Sequence, residues 1–306
     1  MKCVCLTGPT ACGKTELALK LAARIPLEVI SLDSTLVYRG MDIGTAKPSA
    51  SVRAIVTHHL VDIVDAADTY SAGRFVTDAR LAIKEIMARG RLPLLVGGTH
   101  LYLRALRDGL ANLPQADASI RQRLDSEAAV AGWPTLHARL AEVDPNAAAR
   151  ISPSDGQRIQ RALEVYELTG EALSVQQRRS HADNLPAVKT LALLPHDRSA
   201  LAKRIEQRFD AMVESGFIEE VETLKTRSDL TATTPAMRAV GYRQIWAYLA
   251  GECDWSTTHA RATAATRQLA KRQLTSLRSD SNAEYHSTGS TNLEQILLDR
   301  VRAELN

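Results

Sequence analysis

An α/β fold, a parallel sheet flanked by helices with an all-helical insertion, is what three features of the sequence predict. The chain opens on an apolar run, Cys3-Val4-Cys5-Leu6, followed by Gly8-Pro9-Thr10-Ala11-Cys12-Gly13-Lys14-Thr15 and a helical pattern. Two further runs, Leu27-Glu28-Val29-Ile30-Ser31-Leu32 and Leu92-Pro93-Leu94-Leu95-Val96-Gly97, suit strands covered by helices on both faces. From Pro114 to about Pro186 the sequence is rich in Ala, Arg and Glu and has no strand pattern. The expected domains are therefore residues 1–113 with 189–306, and a helical insertion at 114–188.

The opening segment reads G-x-x-x-x-G-K-T between a strand and a helix, which makes the sheet P-loop NTPase-like. Glycines at both ends let the backbone wrap an anion, so Gly8, Thr10, Ala11, Cys12, Gly13, Lys14 and Thr15 form a candidate cradle for a di- or triphosphate, with Lys14 as its cation. Thr15, opening the helix, is placed to put its hydroxyl on Mg²⁺.

With 306 residues, 45% apolar and 24% charged, the composition is that of a soluble globular protein, and a net charge of +3 permits an anionic partner without requiring one. Cys3, Cys5, Cys12 and Cys253 lack the spacing of a zinc site and the density of a disulfide framework. Three of them crowd the first strand and the loop, as suits a reducing compartment, and Cys12 reads as a tolerated small residue. No leader pattern precedes Gly8, and no apolar stretch approaches the roughly 20 residues of a membrane span, so a cytoplasmic protein is expected.

Further elements follow in order. A first helix is expected over Leu17–Ile25. The strand at 27–32 ends at Asp33-Ser34, and groups at the carboxyl ends of parallel strands face ligand, which sets Asp33 beside the loop. The glycines and proline of Tyr38–Pro48 mark an ordered loop. His58-His59 precede an expected strand, Leu60–Ile63; adjacent side chains of an extended chain diverge, which argues against a shared metal. A helix from Ala72 to Arg89 stops at Gly90. After the strand at 92–97 an NTPase would carry a metal-binding Asp, but this chain has Gly98-Thr99, which weakens an ATPase reading and brings Thr99 to the ligand.

Within the insertion, the clearest helix runs from Ser154 or Asp155 to Gly170, with Ile159, Leu163 and Tyr166 on its apolar face and Gln157, Arg158 and Arg161 away from it. A strand returns at Lys189–Leu194, and a helix from Ser199 carries Arg204 and Arg208 on its polar side. His259–Ser279 contains Arg261, Arg267, Lys271, Arg272 and Arg278 and no acidic residue. At about 100° per residue, Arg267, Lys271 and Arg278 fall within roughly 40°, the footprint of a phosphate backbone. The tail after Asp280 is less informative.

A small-molecule kinase would use the loop and Asp33 but not the basic helix. An RNA-binding module would use the loop and the helix but not Asp33. A transferase from a diphosphate donor to a nucleic acid uses all three.

The residues also resemble a known family. Gly8–Thr15, Asp33-Ser34, Val37–Pro48, Val96–Thr99 with Leu101-Tyr102, Gln157–Ile159 with Arg161–Val165, Ala239–Gln244 and Arg267–Leu274 are similar to the corresponding segments of bacterial tRNA dimethylallyltransferases, over nearly the whole chain. The resemblance implies a monomer acting on the anticodon stem-loop of tRNA, with dimethylallyl diphosphate as donor and Mg²⁺ as cofactor. It assigns Asp33, Thr99 and Arg208 to catalysis: Asp33 accepts the N6 proton of the adenosine 3′ to the anticodon, Thr99 stands at the reaction centre and Arg208 on the diphosphate. It further assigns tRNA contact to Asp33, Ser34, Thr35, Leu36, Thr99, Arg121, Gln157, Arg158, Ile159, Gln160, Arg161, Arg238, Gly241, Tyr242, Arg243, Arg267, Lys271, Arg272 and Arg278. Relatives often carry tryptophan where Ser276 and Asp280 stand, and glutamine where Leu36 stands.

Overall fold

The structure is a computed structural model that describes residues 2–111, 113–178 and 185–305. Six strands, β1 (Lys2–Thr7), β2 (Leu27–Leu32), β3 (His58–His59), β4 (Leu92–Gly97), β5 (Ala187–Leu194) and β6 (Ala283–Ser287), form one sheet in the order β3-β2-β4-β1-β5-β6. Every pairing is parallel. Thr7, at the carboxyl end of β1, lies opposite Gly97 of β4 and Ala192 of β5, so these strands open together on one edge. Cys3 to Leu6 are almost completely buried, as a central parallel strand requires.

The helices are α1 (Lys14–Ala22), α2 (Ala50–Ile55), α3 (Ala72–Ala88), α4 (His100–Asp108), α5 (Ala118–Ala131), α6 (Trp133–Val143), α7 (Pro145–Ala148), α8 (Gly156–Thr169), α9 (Leu173–Arg178), α10 (Arg198–Glu214), α11 (Phe217–Lys225), α12 (Tyr242–Leu249), α13 (Trp255–Arg278) and α14 (Leu293–Arg302). None among the described residues is long and apolar enough to cross a membrane. One compact unit comprises the chain up to Arg107 and from residue 185 on; the other comprises residues 108–178.

Helix α1 begins at Lys14, three residues ahead of its apolar pattern, because the loop itself supplies the turn that starts it. The strand expected at Leu60–Ile63 is instead the two residues before it. Leu60 and Asp62 have φ of 60° and 59°, so the chain turns away while the Asp62 carboxylate accepts hydrogen bonds from Lys47 and Arg53. The tail holds β6 and α14, with Leu297, Leu298 and Val301 buried in the core that also contains Leu21 and Ile25.

Beneath β2, Glu28 is 3% exposed and accepts from Arg89 Nε at 3.0 Å and Nη2 at 2.8 Å, with His59 Nε2 at 2.7 Å. The Arg89 hydrogen bonds, with help from His59, hold its carboxyl down to about 2. Asp280, also buried, receives Arg107 Nη1 on both oxygens at 2.9 and 2.7 Å, whereas Ser276 is exposed.

The helical unit has its own core, with Leu124, Leu136, Leu140, Ile159 and Leu163 at its centre. The α8 helix is capped by the Asp155 carboxylate on Arg158 N and stopped at Gly170 with φ 70°. Glu164, fully buried, accepts from Arg121 Nε (2.8 Å), Arg161 Nη1 (2.6 Å) and Asp117 N (2.8 Å). Burial pushes its carboxyl up, but these donors outweigh it and hold it below the ordinary value.

Candidate active site

β1 feeds directly into the phosphate loop, whose turn requires backbone that most residues avoid: Gly13 has φ 89° and Ala11 φ 60°. Ala11 keeps this conformation against a small apolar cluster of Leu201 and Ile205 from α10 and Ala270 from α13. Lys14 Nζ donates to Gly8 O at 2.9 Å and Pro9 O at 2.7 Å, curling the loop around its own cation. Cys12 is buried, its sulfur under Gly8 in the core, while its backbone lines the loop.

Gln273 of α13 completes the cradle. Its Oε1 accepts from Thr10 N at 2.8 Å, and its Nε2 donates to Gly98 O at 3.2 Å. A β-carbon on Gly98 would stand 2.3 Å from that Nε2, so the glycine makes room for this contact.

Two cavities meet here. A polar one of about 200 Å³ is lined by Thr10 through Glu16, Asp33, Leu36, Arg208 and Gln273, among others. A more apolar one of about 130 Å³ is walled by Ile205, Phe209, Met212, Phe217, Val240 and Leu269. Thr10, Ala11, Asp33, Thr45 and Arg208 border both.

Asp33 stands just beyond β2. Its Oδ1 accepts from Thr35 N (2.8 Å) and Thr35 Oγ1 (2.6 Å), leaving Oδ2 without a hydrogen bond among the described residues. Thr99 Oγ1 accepts from Ser34 N at 3.3 Å, so Thr99 holds the turn that aims Asp33. Arg208 has turned inward, unlike exposed Arg204 one helical turn earlier. Burial depresses its guanidinium while the Asp33 charge opposes that shift. No hydrogen bond or ion pair satisfies Arg208 among the described residues. A half-buried cation without a partner, next to a ring of loop amides, is a site for an anion.

The Thr15 hydroxyl lies in the same polar cavity, exposed and without a hydrogen-bond partner among the described residues. A hydroxyl and a carboxylate oxygen, with room for water and phosphate oxygens, are donors that suit Mg²⁺ at a diphosphate.

The wall of the apolar chamber depends on a residue that no sequence motif marks. Glu220 of α11 accepts three successive amides, Asp42 N at 2.8 Å, Ile43 N at 2.7 Å and Gly44 N at 3.1 Å, and the Tyr242 hydroxyl at 2.5 Å. Gly44 is needed there, because a β-carbon would lie 2.0 Å from Phe217. Lys47, nearly buried, ties the other end of the loop to Tyr38 O and to Asp42 and Asp62.

Most of the remaining expected residues lie at surfaces. Arg238, Arg243, Arg267, Lys271, Arg272 and Arg278 are exposed, and none has an ion-pair partner among the described residues. In the helical unit Gln157 and Arg158 are exposed, Gln160 binds Arg121 O and Asp125, and Arg121 and Arg161 are committed to Glu164. Two of the residues expected to touch RNA have buried side chains. Ile159 is fully buried because it points into the helical core with Leu163, and Tyr242 is fully buried because its ring packs on Phe217 beneath the chamber. Ile159 thus belongs to the helical core, while Tyr242 and buried Gly241 both border the chamber and not an outer face.

The family model described as IPP transferase matches residues 36–280. Among curated proteins, the tRNA dimethylallyltransferase of Thioalkalivibrio sulfidiphilus is 56% identical over 305 residues, covering 98% of this chain and 94% of that one. That of Cupriavidus necator is 57% identical over 282 residues, 90% and 88% of the two chains. Among solved structures, the tRNA isopentenylpyrophosphate transferase of Bacillus halodurans aligns with TM-score 0.72 at 36% identity, over 99% of this chain and 96% of that one. A eukaryotic dimethylallyltransferase acting on tRNA aligns with TM-score 0.78 at 27% identity, over 97% and 77%.

Proposed function

The chain belongs to the IPP transferase family, and from that premise we infer that it is a tRNA dimethylallyltransferase, a prenyltransferase that modifies the adenosine 3′ to the anticodon. The donor is dimethylallyl diphosphate. The observation that carries this reading is the border Asp33 and Arg208 share between a phosphate cradle and a small apolar chamber. That is the layout of an allylic diphosphate, charged at one end and hydrocarbon at the other.

The loop amides, Lys14 and Arg208 hold the diphosphate, and the chamber receives the five-carbon chain. The acceptor N6 amine is a weak nucleophile whose lone pair is delocalised into the ring, and the base must leave its stack to reach Asp33. The N6–C1 bond forms as the allylic C1–O bond breaks, the electron pair leaves with diphosphate, and the N6 proton passes to Asp33 Oδ2. The hydrogen bonds from Thr35 to Oδ1 and from Ser34 to Thr99 keep Oδ2 aimed at the amine. Mg²⁺, held by Thr15 and the diphosphate, would neutralise charge on the leaving group. The exposed cations of α13 and of residues 238–243 take the RNA backbone.

The test is incorporation of label from radiolabelled dimethylallyl diphosphate into bulk unmodified tRNA, beside an ATP-hydrolysis assay. Labelled N6-prenyladenosine without ATP turnover is expected. ATP turnover with unlabelled tRNA would assign the loop to a kinase.

A further inference from the structure

A third cavity, distinct from the two at Asp33, lies along the seam between α10 and α13. It measures about 290 Å³, near the lower end of the size of ligand sites, about 300 Å³. Its floor is aliphatic, formed by Leu201, Ile205 and Leu274. Its rim carries four cations, Arg198, Arg267, Lys271 and Arg278, and no acidic residue among the described residues. None of the four has an ion-pair partner among the described residues.

An apolar slot edged by unpaired cations is complementary to a flat, uncharged ring carried on an anionic backbone. We propose that this groove receives an unstacked nucleotide of the bound RNA, other than the acceptor adenosine, with its base on the aliphatic floor and its flanking phosphates on the rim. The proposal rests on the tRNA-modifying reading above. The acceptor itself is excluded from the groove, because Asp33 borders the other two cavities and not this one. Ile205 forms part of both the groove floor and the chamber wall, so a base in the groove stands one side chain from the chamber, as a nucleotide close in sequence to the acceptor would.

Two consequences follow from the lining. Among the described residues, the uncharged lining has one side chain that can hydrogen-bond, Thr275, whose hydroxyl already donates to Lys271 O at 3.0 Å, so the floor holds a base by stacking and any reading of its edge falls to the rim cations. Leu201, Ile205 and Ala270 are also the residues that support Ala11 in its left-handed conformation. The occupant therefore rests on the side chains that buttress the phosphate loop.

The experiment places 2-aminopurine singly at each unpaired loop position of an unmodified anticodon stem-loop and records its fluorescence with the full chain. An extruded 2-aminopurine brightens, and no aromatic side chain lines this groove to quench it. Brightening is expected at the acceptor position and at one other. Ala202→Phe and Thr275→Phe fill the groove from α10 and α13 at positions that are not fully buried. Each is expected to abolish the second signal alone and to weaken stem-loop binding about tenfold, the scale of losing one stacked base. Unchanged binding of inorganic diphosphate reports that the fold is intact.

Brightening confined to the acceptor position, or a second signal that survives both variants, overturns the proposal. Loss of the second signal to millimolar AMP while the stem-loop stays bound would assign the groove to free nucleotides and also overturn it. A second signal without prenyl transfer would overturn the functional reading and leave the groove standing.

Discussion

Gln273 Oε1 accepts the amide of Thr10 at 2.8 Å, so one side chain of the basic helix α13 fixes the front of the phosphate loop. Gln273→Leu would leave that amide without a partner, which costs about 1–3 kcal/mol. Inorganic diphosphate should bind about tenfold more weakly by calorimetry. Gly98→Ala breaks the same contact from the other side, so the double variant should lose no more than the larger single loss; additive losses would show that the two residues act separately.

Asp33→Asn preserves shape and removes the proton acceptor. Turnover should fall by about 10² to 10⁴ with stem-loop affinity unchanged. Thr99→Val, which removes the acceptor of Ser34 N, should give a smaller fall in the same parameter. If Asp33→Asn loses RNA binding instead, Asp33 is a contact and not a base.

Arg208 is a half-buried cation with no hydrogen bond or ion pair among the described residues, a cost to the folded protein that the Asp33 charge offsets only in part and an anionic ligand would relieve further. Arg208→Met should raise stability in denaturant by about 1 kcal/mol while transfer collapses. A variant less stable than the parent would mean that the guanidinium supports the fold.

Replacing Arg267 and Lys271 together by alanine should weaken tRNA binding and lower the slope of log affinity against log salt by about 2. Binding titrations between low and physiological salt measure it directly, and an unaltered slope would remove these two side chains from the phosphate contacts.

Glu28 is one of several carboxylates, with Asp65 and Glu164, whose depressed values make stability fall on the acid side. Its folded value, about 2, lies below the unfolded value of 4.5, so its contribution is fully present above pH 4.5 and is lost as pH falls toward 2. The contribution is on the order of 3 kcal/mol at neutral pH. Urea unfolding of Glu28→Gln should show the parent weakening more than the variant between pH 5 and pH 3. Parallel curves would place the acid sensitivity elsewhere.

The parts of the site that were legible in sequence are those where chemistry dictates local spacing. A loop that wraps phosphate must have its glycines, lysine and threonine within eight residues, and a carboxylate at a strand end needs only its own strand to place it. Arg208 looked like Arg204, since both sit on the same side of one helix, and only the neighbouring α13 and the loop decide which of them turns inward. Gln273 and Glu220 were invisible for a stronger reason. Their partners lie 263 and 178 residues away, and nothing local distinguishes such residues from surface polar groups. Tyr242 and Ile159 sit inside basic motifs whose neighbouring arginines, Arg158 and Arg243, reach solvent, and a motif does not say which way each side chain points. The edge strand β6, Ala283-Glu284-Tyr285-His286-Ser287, carries no apolar run that would mark it as a strand.

The register of the sheet also has a consequence for how the protein is made. β1 is complete at residue 7, but one of its two neighbours, β5, begins only at Ala187. At about 5–20 residues per second, a ribosome takes roughly 10–40 s to supply that neighbour. During this time the helical unit, with a core of its own, can fold, while the innermost strand has a bare hydrogen-bonding edge. A chain released before residue 187 is therefore a substrate for chaperones and proteases, since its central strand has no second neighbour.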